Sequence, residues 1–357
     1  MSLCLTKLFV ENYFYCIIII NLQSIVEGEW ALLKNDILSI LKSNKGKHIS
    51  GQELCEMLNV SRTAVWKCIN ELKSDGYIIE SKHKSGYLLI EEPDIIDYME
   101  ISPYLKTEFI GRNYLHFESI SSTNDYAKEI APSAADGTTI VAEEQTSGRG
   151  RMGRHWVSNK GQGIWMSIIL KPNLSPNEAV KLTQVAAVAV VDPIKEITDI
   201  RSGIKWPNDI IINNKKVCGI LTEMNGEIDR VNFIVIGIGI NVNVQNFPED
   251  LCGKATSLSI ETGKVLDRKP LTASILNNFE KYYSVFLKDG FSSIRNLCKE
   301  YSLTLNKDVK VIINSNECIG RAVDIDDDGN LIVVFKNGEK KTIASGDVSV
   351  RGLLGYV

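Results

Sequence analysis

The chain has no paired-cysteine motif, no cluster of histidines and no apolar run long enough to cross a membrane. Each absence removes a class of protein. Its eight cysteines (Cys4, Cys16, Cys55, Cys68, Cys218, Cys252, Cys298, Cys318) include no CxxC pair, and its four histidines lie far apart. That pattern argues against a zinc site and for free thiols in a reducing cytoplasm. The most apolar stretch, Phe14 to Leu22, falls short of the about 20 residues a bilayer requires. Lys7 precedes it and Glu27 and Glu29 follow it, with no small-residue cleavage site, so residues 1–34 read as an extension and not as an export signal. The formal net charge of -4 gives no overall pull toward nucleic acid, so any DNA contact must come from a local basic surface. What remains is a chain of 357 residues with 44% hydrophobic and 24% charged residues, enough for two or three soluble domains.

Residues 35–90 read as helices followed by a hairpin. Asn35 or Asp36 can cap a helix with the apolar stripe Ile37, Leu38, Ile40 and Leu41. Ser50 and Glu53 make a capping box before Leu54 and Leu58, because hydroxyl and carboxylate each satisfy a free backbone N–H. Ser61 caps a third helix with Ala64, Val65, Cys68, Ile69 and Leu72 on one face and Gly76 as its stop. Strands Tyr77 to Glu80 and Tyr87 to Ile90 flank a basic turn, completing a winged helix-turn-helix. The unit holds eight Lys or Arg against six Asp or Glu, a local balance of +2. Arg62, Thr63, Lys67 and Asn70 can face a major groove, while Lys82, His83 and Lys84 on the wing meet phosphate or minor groove. A helical domain used for protein contacts is the other reading, and Trp66 can be exposed or packed on the hairpin.

Residues 91–112, acidic and punctuated by Pro93 and Pro103, read as a linker with one helical turn. From 113 to 303, runs such as Thr138 to Ala142, Ile164 to Leu170, Asp209 to Ile212, Val217 to Glu223 and Phe233 to Ile240 alternate with helices, an α+β arrangement with a mostly antiparallel sheet. Asn213-Asn214 and Asn225-Gly226 are hairpin signals. Ser175 to Glu178 opens a long helix that Pro193 should kink or end. Residues 304–357, with turns at Asp328-Gly329 and Asn337-Gly338, predict a small β-barrel.

Three clusters carry chemistry. Gly148-Arg149-Gly150-Arg151-Met152-Gly153-Arg154-His155-Trp156 lets backbone approach a ligand while three guanidiniums offer planar donors to phosphate or carboxylate. A flexible surface loop with nonspecific affinity for nucleic acid is the plainer alternative. Lys205-Trp206-Pro207-Asn208-Asp209 puts a cation, an aromatic and two polar groups at a strand break, where a lysine can neutralise charge growing between a carboxylate and a phosphate. An ordinary turn beside a core tryptophan would look the same. Lys216 opens the apolar run containing Gly219. Gly237-Ile238-Gly239-Ile240-Asn241 lacks the third glycine and the following helix of a dinucleotide fingerprint.

Taken in order, these motifs, with Ser122-Thr123-Asn124, Gln145 and Glu223, resemble the biotin-protein ligases. With the winged helix, residues 35–357 resemble the form that joins ligase and biotin-operon repressor. The resemblance implies a class II synthetase-like biotin ligase fold with an SH3-like C-terminal barrel. It implies that biotin and ATP give biotinyl-5'-AMP and pyrophosphate, and that a lysine of a biotin carboxyl carrier protein then attacks the anhydride and releases AMP. By carry-over, Ser122, Thr123, Asn124, Gln145, Arg149, Gly150, Arg151 and Lys205 line the biotin and acyl-phosphate site, with Lys205, Arg149 and Arg151 as catalytic candidates. Arg151, Arg154, Asn208, Asp209 and Lys216 would serve ATP, with Trp206 and Asn241 on the adenine side. Mg2+ would arrive with ATP and not in a protein cage. The resemblance further implies operator DNA as a partner and a homodimer when biotinyl-AMP is bound. A lipoate-protein ligase, a repressor that senses without catalysing, and a ligase that no longer binds an operator remain open.

Overall fold

The computed structural model describes residues 30, 32–82, 85–227, 229–313, 316–344 and 348–352. The chain divides into one unit ending at Pro93 and another starting at Asp94.

In the first unit, α1 (32–43) is already helical upstream of Asn35 and Asp36, the expected caps. Contacts with the third helix explain the early start: Trp30 Nε1 donates to Glu71 at 2.8 Å, and Lys34 pairs with Asp75. The capping box before α2 (Gly51–Leu58) forms as expected, Ser50 Oγ accepting from Glu53 N at 3.1 Å and Glu53 accepting from Ser50 N at 2.7 Å. Ser61 caps α3 (Arg62–Ser74) through Ala64 N. Strands β1 (Ile78–Lys82) and β2 (Gly86–Glu91) pair antiparallel as the wing. Ile37, Leu41, Leu54, Cys68, Ile69 and Leu72 close the core.

The second unit begins with the stretch expected to be a linker, and the structure corrects that expectation. Ile96, Ile101 and Ile110 are fully buried, and the short α4 (Tyr98–Ile101) packs on a later helix, Arg268–Asp289. Polar groups fasten the segment: Glu280 accepts from the backbone N–H groups of Glu108, Phe109 and Ile110 at 2.6, 3.0 and 2.8 Å, and Asn277 bonds Lys106 N and Tyr104 O. Buried polar groups need such partners, so Pro103, in the helical turn Ser102–Tyr104, lies within a packed segment.

There follow β3 (Tyr114–Phe117), α5 (Thr123–Ile130), β4 (Thr139–Ala142), β5 (Gly163–Leu170), α6 (Pro176–Ala179), α7 (Leu182–Thr198), β6 (Gly203–Lys205), β7 (Asp209–Ile212), β8 (Lys215–Gly226) and β9 (Val231–Asn241). The seven-stranded sheet has the order β3-β4-β5-β9-β8-β7-β6, antiparallel except for the β3/β4 pair. The predicted single helix is two, broken at Val180 and Lys181, and Pro193 does not end the second. α7 packs between the sheet and helices α9 (Arg268–Asp289) and α10 (Ser292–Glu300), so burial offsets the roughly 3 kcal/mol that an interior proline costs. Asn213-Asn214 turns between β7 and β8 with φ of 47° and 63°, but Asn225-Gly226 stays within β8 and the hairpin closes beyond it. α8 (Leu258–Thr262) follows β9.

Strands β10 (Asp308–Ile313), β11 (Asn316–Ile325), β12 (Leu331–Phe335), β13 (Lys340–Ile343) and β14 (Val348–Gly352) make an antiparallel sheet in the order β13-β12-β11-β10-β14. Among the described residues it is open, with β13 and β14 as edges, where a closed barrel was expected. Its apolar face, with Val311, Ala322, Leu331 and Val333, joins the core formed by the seven-stranded sheet and its helices instead of closing on itself.

A buried charge cluster stabilises this unit. Arg268, with no exposed side-chain surface, contacts Glu143 at 2.8 Å, Asp94 at 3.1 Å and Gly163 O at 2.9 Å. Burial works to raise the Glu143 carboxyl, but His116, Arg268 and the Ile96 N–H outweigh it and hold it below its ordinary value. A depressed carboxylate stabilises the fold above its unfolded pKa and loses that contribution as pH falls through its folded one. Glu143→Gln is therefore expected to cost about 3 kcal/mol at pH 7 by taking one of two carboxylate partners from the buried Arg268, with the gap to wild type narrowing as pH falls below the ordinary glutamate value of about 4.3. Thermal melts across pH 3–7 measure this; a constant gap would contradict it.

Candidate active site

Strand alternation sets the site. Along β9, Ile234, Ile236, Ile238 and Ile240 face the main core, while Phe233 and Val235 face α5. The same period puts Gly237, Gly239 and Asn241 on the α5 side, beyond the helix's apolar contacts. On the neighbouring strands it puts Trp165 and Ser167 of β5, and Gly219, Leu221 and Glu223 of β8, on that face. Register aligns them in two rows: Ser167, Gly237 and Leu221, then Trp165, Gly239 and Gly219.

Over the first row stands the start of α5. Ser122, nearly fully buried, caps the helix through Asp125 N. Thr123 donates from N and Oγ1 to Gln145 Oε1 at 2.9 and 3.0 Å, and Gln145 Nε2 donates to Ser158 Oγ at 2.9 Å. Ser167 Oγ lies 2.8 Å from Thr123 Oγ1 and 2.7 Å from Asn124 Oδ1, while Asn124 Nδ2 donates to Glu223 at 2.9 Å. A Cβ on Gly237 would sit 2.1 Å from Asn124 Oδ1, so the glycine is what admits the amide.

The second row is the floor beneath the arginine-rich loop. Trp156 lies over Gly239, where a Cβ would meet its Nε1 at 2.6 Å, and packs edge-on against Trp165 with centroids 6.5 Å apart. Lys216 Nζ sits 5.1 Å from the Trp156 ring and pairs with Asp209 at 2.6 Å. The loop folds back on itself: Arg149 bridges His155, and Gly150 N donates to Arg154 O at 2.7 Å. Its tip, Met152, takes a left-handed φ of 56° and is exposed.

The three loop arginines differ. Arg149, half-exposed, pairs with Asp125 at 2.5 Å, and Asp125 also pairs with Lys128 at 2.9 Å. Burial pushes the Asp125 carboxyl up, but these two cations outweigh it and hold it below its ordinary value. Arg151 turns inward and donates to Asn208 Oδ1 at 2.8 Å; burial depresses its guanidinium, with Asp209 opposing and Arg154 adding. Arg154 is exposed.

Lys205, at 8% exposure, ends β6 one strand pair from Asp209. Asn208 Nδ2 donates to Ile220 O at 2.9 Å, and Asn241, also buried, donates to Thr256 O at 3.1 Å. Trp206, expected on the adenine side, is corrected: its ring is 3% exposed in the core and its Nε1 donates to Gly329 O at 3.0 Å. Gly150 lies on the loop beside Arg151. Among the described residues no group of three His, Cys, Asp or Glu could hold a metal ion.

Sequence reasoning missed Ser167, Ser158 and Asp125. A lone hydroxyl in the otherwise apolar, fully buried strand Gly163–Leu170 was the available signal for Ser167.

In the first unit, Arg62 and Thr63 are exposed on α3, and Arg62 donates to Gln52 Oε1 at 2.7 Å. Lys67 Nζ lies 4.6 Å from the Trp30 ring, Asn70 is half-buried, Lys82 is exposed, and Trp66 is 59% exposed. His83 and Lys84 lie outside the described residues.

A sheet face of hydroxyls and amides beneath a basic loop, with a buried lysine beside Asn208 and Asp209, is the layout of a carboxylate-activating ligase domain. Residues 116–241 match the biotin/lipoate A/B protein ligase family, 34–88 an HTH domain and 304–351 the biotin protein ligase C-terminal domain. The chain is 43% identical over 321 residues to the bifunctional ligase/repressor BirA of Bacillus subtilis, covering 89% of this chain and 98% of that one. It is 28% identical to the Escherichia coli protein of the same description, covering 86% and 94%. It resembles the solved biotin protein ligase from Aquifex aeolicus in complex with biotin and ATP, with TM-score 0.60 and 32% identity, covering 68% of this chain and 99% of that one. The chain belongs to the biotin protein ligases of the bifunctional ligase/repressor kind.

Proposed function

We propose that the chain activates biotin with ATP, transfers it to a lysine of a biotin carboxyl carrier protein, and represses biotin genes through its winged helix. The carrying observation is one sheet face on which Gly237 admits Asn124 to the Thr123–Gln145–Ser167 network and Gly239 admits Trp156, with Arg151 bonded to Asn208 beside Lys205. Hydroxyl and amide groups suit the ureido ring, whose C=O accepts and whose N–H groups donate. Trp156 Nε1 is buried with no acceptor among the described residues, so a bound molecule can supply one.

In the first step a biotin carboxylate oxygen attacks the α-phosphorus and pyrophosphate leaves. Both reactants are anions, so their approach needs preplaced cations. Lys205 and Arg151 supply them from positions where burial strengthens the field, and an incoming anion offsets by charge pairing the burial that depresses Arg151. Asp209 and Lys216 face the nucleotide phosphates, with Arg154 and Asn241 further along that side. Asp209 is a single carboxylate, a donor set that fits Mg2+ carried by the phosphates, where the ion would offset their charge. In the second step the acceptor amine attacks the acyl carbon and AMP leaves, Ser122, Arg149 and Gly150 bordering the reacting group.

No described helix is long and apolar enough to cross a membrane. A cytoplasmic location, and a homodimer formed when biotinyl-AMP is bound, follow from the same reading. A two-fold operator needs a two-fold protein. The lipoate alternative is disfavoured by the match to a biotin protein ligase C-terminal domain.

Single-turnover acyl-adenylate formation from labelled ATP tests the ligase: activity with biotin and none with lipoate is expected, and the reverse would overturn the reading. A gel shift on the chain's own promoter DNA, weakening steeply with salt, tests the repressor. No shift at low salt would leave a ligase without operator binding. The loop 148–156 is expected to be cleaved by protease more slowly once biotin and ATP are added, because bound ligand offsets the entropy of ordering its glycines. Unchanged cleavage would remove loop ordering from the mechanism.

A further inference from the structure

Lys205 sits on an edge strand of three residues, where the sheet restrains it from one side through β7. The other side is held by groups from beyond the sheet. Ile204 N donates to Tyr301 O at 2.8 Å, Leu303 N donates to Ile204 O at 2.9 Å, and Trp206 N donates to Thr304 Oγ1 at 3.0 Å. Gly329 O, in the β11–β12 turn of the C-terminal sheet, accepts from Trp206 Nε1 at 3.0 Å and from Gln184 Nε2 of α7 at 2.7 Å. Both bonds are buried.

Ion pairs dock this turn and the end of β11 on α10 and on the residue preceding α7. Lys181 meets Asp328 at 3.0 Å, Lys299 meets Asp324 at 2.6 Å, and Arg295 pairs with Asp327. Gly329 has a φ of 77°, and a Cβ there would meet Gln184 Nε2 at 2.5 Å, so the position requires glycine both for its backbone and for the approach.

We propose that the Asp326–Asn330 turn is a positioning element for Lys205, with Gln184 and Trp206 as positioning residues that act through the Gly329 carbonyl. The proposal rests on the ligase reading above. Residues on both sides of Lys205 are fixed to parts of the chain about 100 positions downstream, at |i−j| of 98 and 123 for the two Trp206 bonds. Displacement of the turn therefore moves the ammonium relative to the reacting phosphate. A shift of about 1 Å in such a group can cost up to about 100-fold in rate.

The test is a double-mutant cycle on single-turnover adenylate formation by the full chain. Trp206→Phe keeps an aromatic ring, though a smaller one, and removes the N–H; Gln184→Leu removes the other donor to the same oxygen. Each is expected to slow the step about 10-fold in the wild-type background, with biotin Kd changed less than about 2-fold. In a Lys205→Met background both are expected to change the rate less than about 2-fold, because the group they position is gone. Full additivity, or no slowing in the wild-type background, would overturn the proposal. Should Trp206→Phe fail to fold, Gln184→Leu alone decides by the same criteria. Wild-type protein that forms no adenylate with biotin would instead bring down the ligase reading, a result distinct from an additive cycle in an active enzyme.

Discussion

Lys205→Ala is expected to slow biotinyl-adenylate formation by about 100- to 1,000-fold, the range found on removing one preorganised group from a developing charge. The lysine is buried to 8% exposure at the end of β6, and Asn208 beside it fixes Arg151. In the ground state, biotin and ATP can be held by the hydroxyl and amide row and by the loop. The demand on Lys205 peaks when carboxylate and phosphate oxygens crowd one phosphorus. Biotin Kd is therefore expected to move only several-fold while the single-turnover rate collapses. Lys205→Arg is not expected to rescue, since the planar guanidinium replaces a compact point charge in a closed position. A loss under 10-fold would transfer the principal role to Arg151.

Gly237→Ala is expected to weaken biotin binding by at least about 10-fold and to destabilise the ligase unit by about 1–3 kcal/mol, the usual cost of overpacking. The added methyl would stand 2.1 Å from Asn124 Oδ1 in the middle of a strand whose other face is core. The strand cannot retreat, so Asn124 must leave Ser167 and Glu223, and the network running to Thr123 and Gln145 loses a member. Shortening Asn124 to serine in the same chain is expected to recover the melting temperature but not the affinity. Titration calorimetry and thermal melts separate the two outcomes. Unchanged affinity in Gly237→Ala would remove the Asn124 row from the biotin pocket.

The sequence carried the winged helix and the sheet strands well because their signals are local. Ser50 with Glu53 and Ser61 with Ala64 are caps that neighbours alone determine, and β9 reads as a strand from its apolar run Phe233 to Ile240. The site motifs were legible as clusters for the same reason. What stayed hidden depends on distant partners. Arg268, 174 positions from Asp94, turns an apparent linker into a packed segment. Trp206 looks like a ligand-facing aromatic until the Gly329 carbonyl, 123 positions away, takes its N–H. Ser167 gains meaning when register sets it beside Gly237 and α5 lowers Thr123 and Asn124 onto it. β6 is three residues long, too short to show a period.

The grip of Glu280 on three successive backbone N–H groups matters for anyone excising the ligase portion of the chain. A cut at residue 113, which composition alone recommends, would discard those donors together with Asp94 and the buried isoleucines. It would strand a carboxylate on α9 and leave the Arg268 guanidinium short of a partner. The seam that respects these contacts lies at the Pro93/Asp94 junction, so the acidic stretch belongs with the catalyst and not with the tether.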